Sequence, residues 1–301
     1  MAVIFTGSHP KALWPGVSAW WGAKYNEHDV QYTSIFDTKP SNKNFEEDVQ
    51  SSGFGLMPEK DEGGAVKYDA HTQGYVSRYT NVAYALGYIV TKEEIDDNLY
   101  AEVSMSRAES LSFSCRQTEE EVGANTLNNA FDSNFTGGDG TQLLATTHSD
   151  FHGTWSNHLT TAADFSESSA EDLCIQIMDA LNPRGLKMNI KPKRLIIPTA
   201  LAFDVDRVLK SELRVGTADN DVNALRLRGS IPEVAVNNYL TDTDAWFVKT
   251  DAPRGMCWYD RKLAEFTHDG DFDTENDKSK VYRRFAAGWT DPRGMYGSPG
   301  A

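Results

Sequence analysis

TKEEIDDNLYAEVSMSRAESLSFSCRQTEEEVGANTLNNAF, residues 91–131, is the stretch on which the rest of the chain hangs. It contains no proline and predicts one helix of about 40 residues. Thr91 with Glu94 forms the S/T-x-x-E capping box, which satisfies free amides at a helix start. Glu93, Glu94, Asp96 and Asp97 place negative charge at the positive end of the dipole. Ile95, Leu99 and Val103 fall four apart, Ala108, Leu111 and Cys115 continue the stripe, and Val122, Leu127 and Phe131 resume it. At about 1.5 Å per residue such a helix runs on the order of 60 Å. That exceeds what a compact domain of this size needs, so the segment reads as a beam carrying other parts. The polar gap at residues 116–121 is the expected weak point, where a kink would divide the helix in two.

The chain has 301 residues, 40% apolar and 24% charged, as expected of a soluble globular protein. No apolar run reaches the length of a membrane span, and no basic, hydrophobic leader opens the sequence. Cys115, Cys174 and Cys257 lie far apart without C-x-x-C spacing, which argues against a disulfide framework or a structural zinc site and for a reducing compartment. The net charge of −15 is opposite in sign to a surface that grips nucleic acid. Enclosing nucleic acid without adhering to it is compatible with that charge.

Residues 1–44 show little periodicity but hold Trp14, Trp20, Trp21 and Tyr25 among prolines and glycines. Such a segment offsets its own ordering entropy only by packing on something else, so it reads as an arm along its own chain or a neighbour. In residues 53–90, Val66, Tyr68 and Ala70 alternate, a turn follows near residues 72–74, and Tyr75, Ser77 and Tyr79 alternate again. This predicts a protruding hairpin that needs a partner surface. Val82, Tyr84, Leu86, Tyr88 and Val90 predict a strand that becomes buried as it feeds the long helix. After the helix, residues 135–140 are glycine-rich and lead into a short strand at residues 143–148. Ser168 with Glu171 predicts a second helix start. A small α/β unit with strands near residues 194–197, 234–240 and 245–250 follows, interrupted by a polar, mobile loop at residues 213–227. Residues 258–266 and 280–289 predict closing strands, and the tail after Asp291 is turn-rich.

Chemistry-bearing patterns are weak. His148, Asp150, His152 and His158 lie close in sequence, but in a loop whose spacing fixes no metal geometry. Asp269, Asp271 and Asp273 begin like a calcium loop, yet Thr274 and Lys280 stand where that loop needs glycine and glutamate. There is no nucleophile elbow, no phosphate-cradling glycine loop and no Cys–His pair. A chain with protrusions and no active site suggests a structural protein working through contacts.

Three motifs, in order, carry a family resemblance: EGGAVKYD at residues 62–69 leading to TKEE at 91–94; AFDSNFTGGDG at 130–140; and DFDTEN at 271–276 with GWTDPRG at 288–294. With them the chain resembles the major capsid protein of tailed bacteriophages, the Hong Kong 97-type fold, over nearly everything after about residue 45. The resemblance implies an α+β subunit: an N-terminal arm (1–44), an extended β-hairpin loop (45–90), a peripheral domain with the spine helix (91–155) closed by strands at 256–301, and an axial domain (156–255). It implies self-assembly as pentamers and hexamers into an icosahedral shell around double-stranded DNA, in the virion, after assembly in the host cytoplasm. The implied partners are a separate scaffolding protein, a portal protein and, where one binds, a decoration protein. It implies no membrane, no catalytic residue and no cofactor. Trp14, Trp20, Tyr68, Tyr75 and Tyr79 are the candidate inter-subunit contacts. Some relatives cross-link a lysine of the extended loop; Lys60 and Lys67 lie in that region, but no motif identifies a partner. The rival readings are an encapsulin-type nanocompartment shell and a metal-dependent enzyme using His148, His152 and His158.

Overall fold

Two four-stranded sheets organise the computed structural model, which describes residues 14–96, 100–213 and 221–301. In chain order the elements are α1 (Trp14–Glu27), α2 (Tyr32–Ile35), β1 (Asp37–Pro40), β2 (Phe45–Ser51), β3 (Gln73–Thr80), β4 (Val82–Val90), α3 (Lys92–Asp96) and α4 (Tyr100–Asn128). There follow β5 (His148–Ser149), β6 (Thr154–Trp155), α5 (Glu167–Met178), β7 (Pro192–Ile197), α6 (Ala202–Lys210), α7 (Ala224–Arg228) and β8 (Glu233–Val236). The chain closes with β9 (Trp246–Thr250), β10 (Met256–Gly270), β11 (Asp277–Trp289) and β12 (Met295–Ser298).

The first sheet has the order β1-β10-β11-β4. Its centre is the long antiparallel ribbon of β10 and β11, with β1 parallel on one edge and β4 antiparallel on the other. The spine helix lies against this sheet. The Thr91 hydroxyl accepts the Glu94 amide at 3.4 Å, as the cap predicts. The continuity expected through residues 97–99 falls outside the described residues. From Tyr100 the helix runs 29 residues without interruption, about 44 Å.

The polar gap is therefore no kink. Three of its four charges, Arg116, Glu119 and Glu120, face inward and are bonded there, while Glu121 faces solvent. Glu119, Glu120, Arg116 and Arg283 are all buried. Glu119 meets Arg283 at 2.6 Å and Arg116 at 2.7 Å, and it accepts the Tyr25 hydroxyl at 2.7 Å. Arg283 reaches on to Asp260 at 2.8 Å. Glu120 accepts the amides of Gln31 and Tyr32 at 2.9 and 2.7 Å, holding the start of α2 against the spine. Gly123 lets α2 come that close, since a Cβ there would sit 2.9 Å from the Tyr32 Cβ.

The arm is more regular than its sequence suggests. α1 begins with a proline just inside its start, where the missing N–H costs no helical bond. Val17, Trp21 and Tyr25 recur every four residues on one face. Val17 and Trp21 bury against Ala108, Leu111, Cys115 and Val281, and Trp21 stacks between Tyr25 and Phe266 at 5.0 and 5.5 Å. This part of the arm packs on its own spine.

The hairpin departs further from expectation. Its paired arms are β2 and β3, with Phe45 opposite Thr80 and Ser51 opposite Gln73. Val66, Tyr68 and Ala70 form no strand; they belong to a long loop, residues 52–72, between the two arms. Alternation there has no partner strand to make it a sheet. β4 likewise stays half exposed, with Val82, Leu86 and Ile89 open to solvent and Val90 alone buried. It is an edge strand, covered on one side by β11. Residues 143–145 are buried loop, not strand.

The second sheet has the order β12-β9-β7-β8. The tail read as turn-rich returns here, because β12 pairs with β9. α5 covers the sheet through Leu173, Cys174 and Ile177, packed with Leu195, Ile197, Trp246 and Val248. Its cap is Ser166 with Ser169, two residues earlier than the Ser168/Glu171 pair. Within the loop expected at residues 213–227, residues 214–220 lie outside the described residues and α7 forms beyond them. The chain crosses between the sheets at residues 251–255 and again at 290–294. These crossings are bonded to each other, Thr290 N to Gly255 O at 3.1 Å and Asp291 N to Arg254 O at 2.9 Å. At the contact Gly255 faces Gly294 so closely that a Cβ on Gly255 would lie 2.6 Å from the Gly294 Cα.

Replacing Arg283 by Met should cost about 3–5 kcal/mol, because Glu119 loses one of its two buried cationic partners. Urea unfolding of the isolated chain measures it.

Candidate assembly surface

Residues 54–73 form an exposed run without a break. Apolar side chains stand in it uncovered: Met57 is 95% exposed, Tyr68 92% and Leu56 80%. Phe54 and Val66 are exposed as well. Burying side chains of this size is worth about 1.5–3 kcal/mol each, so the loop carries unspent burial energy. At the tip joining β10 to β11, Phe272 is 97% exposed among Asp271, Asp273 and Glu275.

The loop is tied to its own chain at few points. At its base, Ser52 N donates to Thr72 O at 2.9 Å and Thr72 N to the Ser52 hydroxyl at 3.0 Å. Farther out, one carboxylate gathers the two legs. Asp69 accepts the Gly55 amide at 2.8 Å and Arg184 Nη2 at 2.6 Å. Arg184 also donates to Ala70 O at 3.2 Å. The Gly55 N–H first, then the Arg184 guanidinium and the Ala70 N–H, hold the Asp69 carboxyl at about 2, against an ordinary 3.8.

The five aromatic candidates separate by environment. Trp20 is 38% exposed, with the Lys24 ammonium 5.1 Å above its ring. Tyr68 is almost fully exposed in the loop. Tyr75 is half-buried and donates its hydroxyl to Thr290 O at 2.9 Å. Tyr79 is buried in its own chain, its ring 4.9 Å from that of Tyr259 and its hydroxyl against that of Thr290. Trp14 opens α1, and its side chain lies outside the described part. Sequence reasoning passed over Phe54, Leu56, Met57 and Phe272. The available signal was large apolar residues in turn-rich or acidic segments, where no core position exists for them.

The histidines do not converge. His148 is buried and stacked on Trp155 at 4.7 Å. Its Nδ1 lies 2.7 Å from Asp139 and its Nε2 3.0 Å from the Asn157 Oδ1. Asn157 in turn donates to the carbonyls of Leu143, Pro292 and Met295. The cluster pins residues 139–157 to the second crossing. His158 lies edge-on to Phe131, and burial lowers its pKa. His152 is exposed beside Gly185. Among the described residues no three His, Cys, Asp or Glu side chains are placed to hold a metal. The hairpin-tip acids form no cation loop either, because Asp271 pairs with Lys278 at 2.5 Å. Among the described residues no helix is long and apolar enough to cross a membrane.

The family model described as phage capsid protein matches residues 74–298. No curated protein matches the chain. Among solved structures, the capsid of an empty GTA particle superposes with a TM-score of 0.55 at 11% identity, covering 89% of each chain. A structure from Mycobacterium phage Patience superposes with a TM-score of 0.52 at 12% identity, covering 98% of this chain and 88% of that one. The virus-like particle from Pyrococcus furiosus gives 0.50 at 9% identity, with 94% and 97% covered. At such identities the superpositions speak for the fold, which is the Hong Kong 97 type, mixed helix and sheet. The chain belongs to the phage capsid protein family. It is a major capsid protein, a shell-forming component of a phage virion that assembles with copies of itself.

A carboxyl lowered in the folded state stabilises above its ordinary pKa and ceases to do so as pH falls through the folded value. The Asp69 clasp should therefore be intact above about pH 4 and open as pH falls toward 2. Carboxylate NMR on the unassembled subunit should place the Asp69 midpoint near 2, with the Gly55 amide shift following it.

Proposed function

We propose that this subunit builds an icosahedral shell of pentamers and hexamers around packaged double-stranded DNA, and that it does no chemistry. The carrying observation is the exposed run at residues 54–73, whose apolar side chains its own chain leaves uncovered. Residues 1–44 act as the arm and residues 45–90 as the extended loop. Residues 91–155 and 256–301 act as the peripheral domain, and residues 156–255, joined by β12, as the axial domain. Met57, Tyr68 and Trp20 bury on neighbouring subunits. Tyr75 and Tyr79 steady the root of the loop through Thr290.

Each contact is weak alone. A closed shell satisfies many at once, and cyclic closure makes them cooperative. The net charge of −15 suits an inner surface that encloses a polyanion without gripping it. Assembly takes place in the host cytoplasm with a separate scaffolding protein and a portal protein, and a decoration protein is a further partner of the finished shell.

Replacing residues 55–70 by a short Gly-Ser link removes most of the exposed run, Leu56, Met57, Val66 and Tyr68 included, and spares β2 and β3. The variant should fold and remain monomeric by light scattering, with no shells in negative-stain images. Normal particles would overturn the role given to the loop.

A further inference from the structure

We infer that Arg184 is a positioning residue for assembly: through Asp69 it fixes the direction in which the loop at residues 52–72 leaves the subunit, before any neighbour is met. The inference rests on the reading of that loop as an inter-subunit contact.

The geometry runs as an unbroken path from the core to the loop. Arg293 is buried, 1% exposed, and donates its Nε to Leu181 O at 2.8 Å. The next residue, Asn182, closes a tight turn. Its Oδ1 accepts the amides of Arg184 and Leu186, both at 2.9 Å, and its own amide donates to Leu186 O at 2.7 Å. Gly185 completes the turn at φ +79°, a left-handed conformation that glycine adopts without strain. Its bare Cα also leaves room for His152, whose ring would stand 2.7 Å from a Cβ there. The turn thus has its backbone fixed from both sides, and it presents the Arg184 guanidinium outward.

That guanidinium takes hold of the loop at two adjacent acceptors, Asp69 Oδ2 and Ala70 O. The same Oδ2 accepts the Gly55 amide from the opposite leg, fourteen positions away in sequence. One cation, fixed to the second sheet, therefore sets the height of one leg, and the shared oxygen ties the other leg to it. Beyond this clasp lie Leu56, Met57, Val66 and Tyr68, the side chains that a neighbour would cover.

Such a pair is too exposed to matter much for subunit stability. Its effect falls on the entropy of docking. A loop held in its binding direction loses less freedom on association, and a shell repeats that saving at every interface. The Asp69–Arg184 bond should therefore influence the rate of assembly more than the melting temperature.

The test uses the full chain with Arg184→Ala, Arg184→Lys and Asp69→Asn. Chymotrypsin cleavage of the unassembled subunit at Phe54, Leu56 and Tyr68 should quicken about fivefold in Arg184→Ala and Asp69→Asn, since local opening sets such rates. Arg184→Lys, which keeps the charge, should restore part of the protection. Assembly followed by light scattering should show a longer lag in Arg184→Ala, and added salt, which screens the Asp69–Arg184 pair, should narrow the difference between the two proteins. Equal cleavage in wild type and Arg184→Ala would overturn the inference, as would faster assembly of the variant, which would make the clasp a restraint. The Gly-Ser replacement of residues 55–70 keeps the two claims apart. If it still forms shells, the loop reading fails whatever Arg184 does; if it does not, while Arg184→Ala assembles and resists cleavage normally, the positioning role alone fails.

Discussion

The subunit depends on a carboxylate buried from solvent. Glu119 sits on the inner face of the spine helix and is satisfied only when Arg283 of β11, Arg116 one turn behind it and the Tyr25 hydroxyl of α1 all reach it. Arg283 carries the network to Asp260 on β10. Four elements meet at one point, and any slip of helix against sheet leaves a buried charge bare. Such networks seldom add net stability over an apolar core, but they penalise wrong registers severely. Apolar contacts around Trp258, stacked between Tyr32 and Phe285 at 4.3 Å each, hold the parts together. The ion network decides where they stop.

That fixed frame explains how a shell protein can leave apolar groups in water. The hydrophobic ends of the loop and of the β10–β11 ribbon stand away from the ordered core, and acidic residues flank many of them. A net charge of −15 keeps free subunits apart until several contacts form together. Assembly then proceeds by geometry, with no single strong site needed.

Much of the frame was legible in residues 91–131 because helix periodicity and caps are local signals. The β10–β11 ribbon and the strands β7 and β9 were legible for the same reason. The α1 helix was obscured by Pro15, Gly16 and Gly22, although Val17, Trp21 and Tyr25 carried its four-residue spacing. The alternation at Val66, Tyr68 and Ala70 misled, because period two means a strand only where a second strand lies alongside. β1 was invisible: Asp37-Thr-Lys-Pro has no apolar face, and its parallel pairing with β10 spans more than two hundred positions. The polar gap at residues 116–121 could not be told from a solvated stretch, since its partners Tyr25 and Arg283 are remote in sequence. Of the candidate contacts, Tyr68 was found by its place in the protrusion. Met57 and Phe272 were missed although their turn-rich and acidic surroundings, which offer no core position, were the local sign that they are meant for a neighbour. The Asp69–Arg184 pair, 115 positions apart, left no local trace at all.

The touching glycines where the chain passes between its sheets have a mechanical meaning. Gly255 and Gly294 press backbone on backbone, and hydrogen bonds donated by the Thr290 and Asp291 amides stop the two strands of chain from sliding. The joint is welded as well as pinned, because Ile196 and Phe247 of the second sheet share one buried core with Met256, Trp258 and Phe285 of the first. A methyl group added at either glycine would meet the other's backbone within 2.6 Å, so seating it means prising the two crossings apart and shifting one sheet against the other.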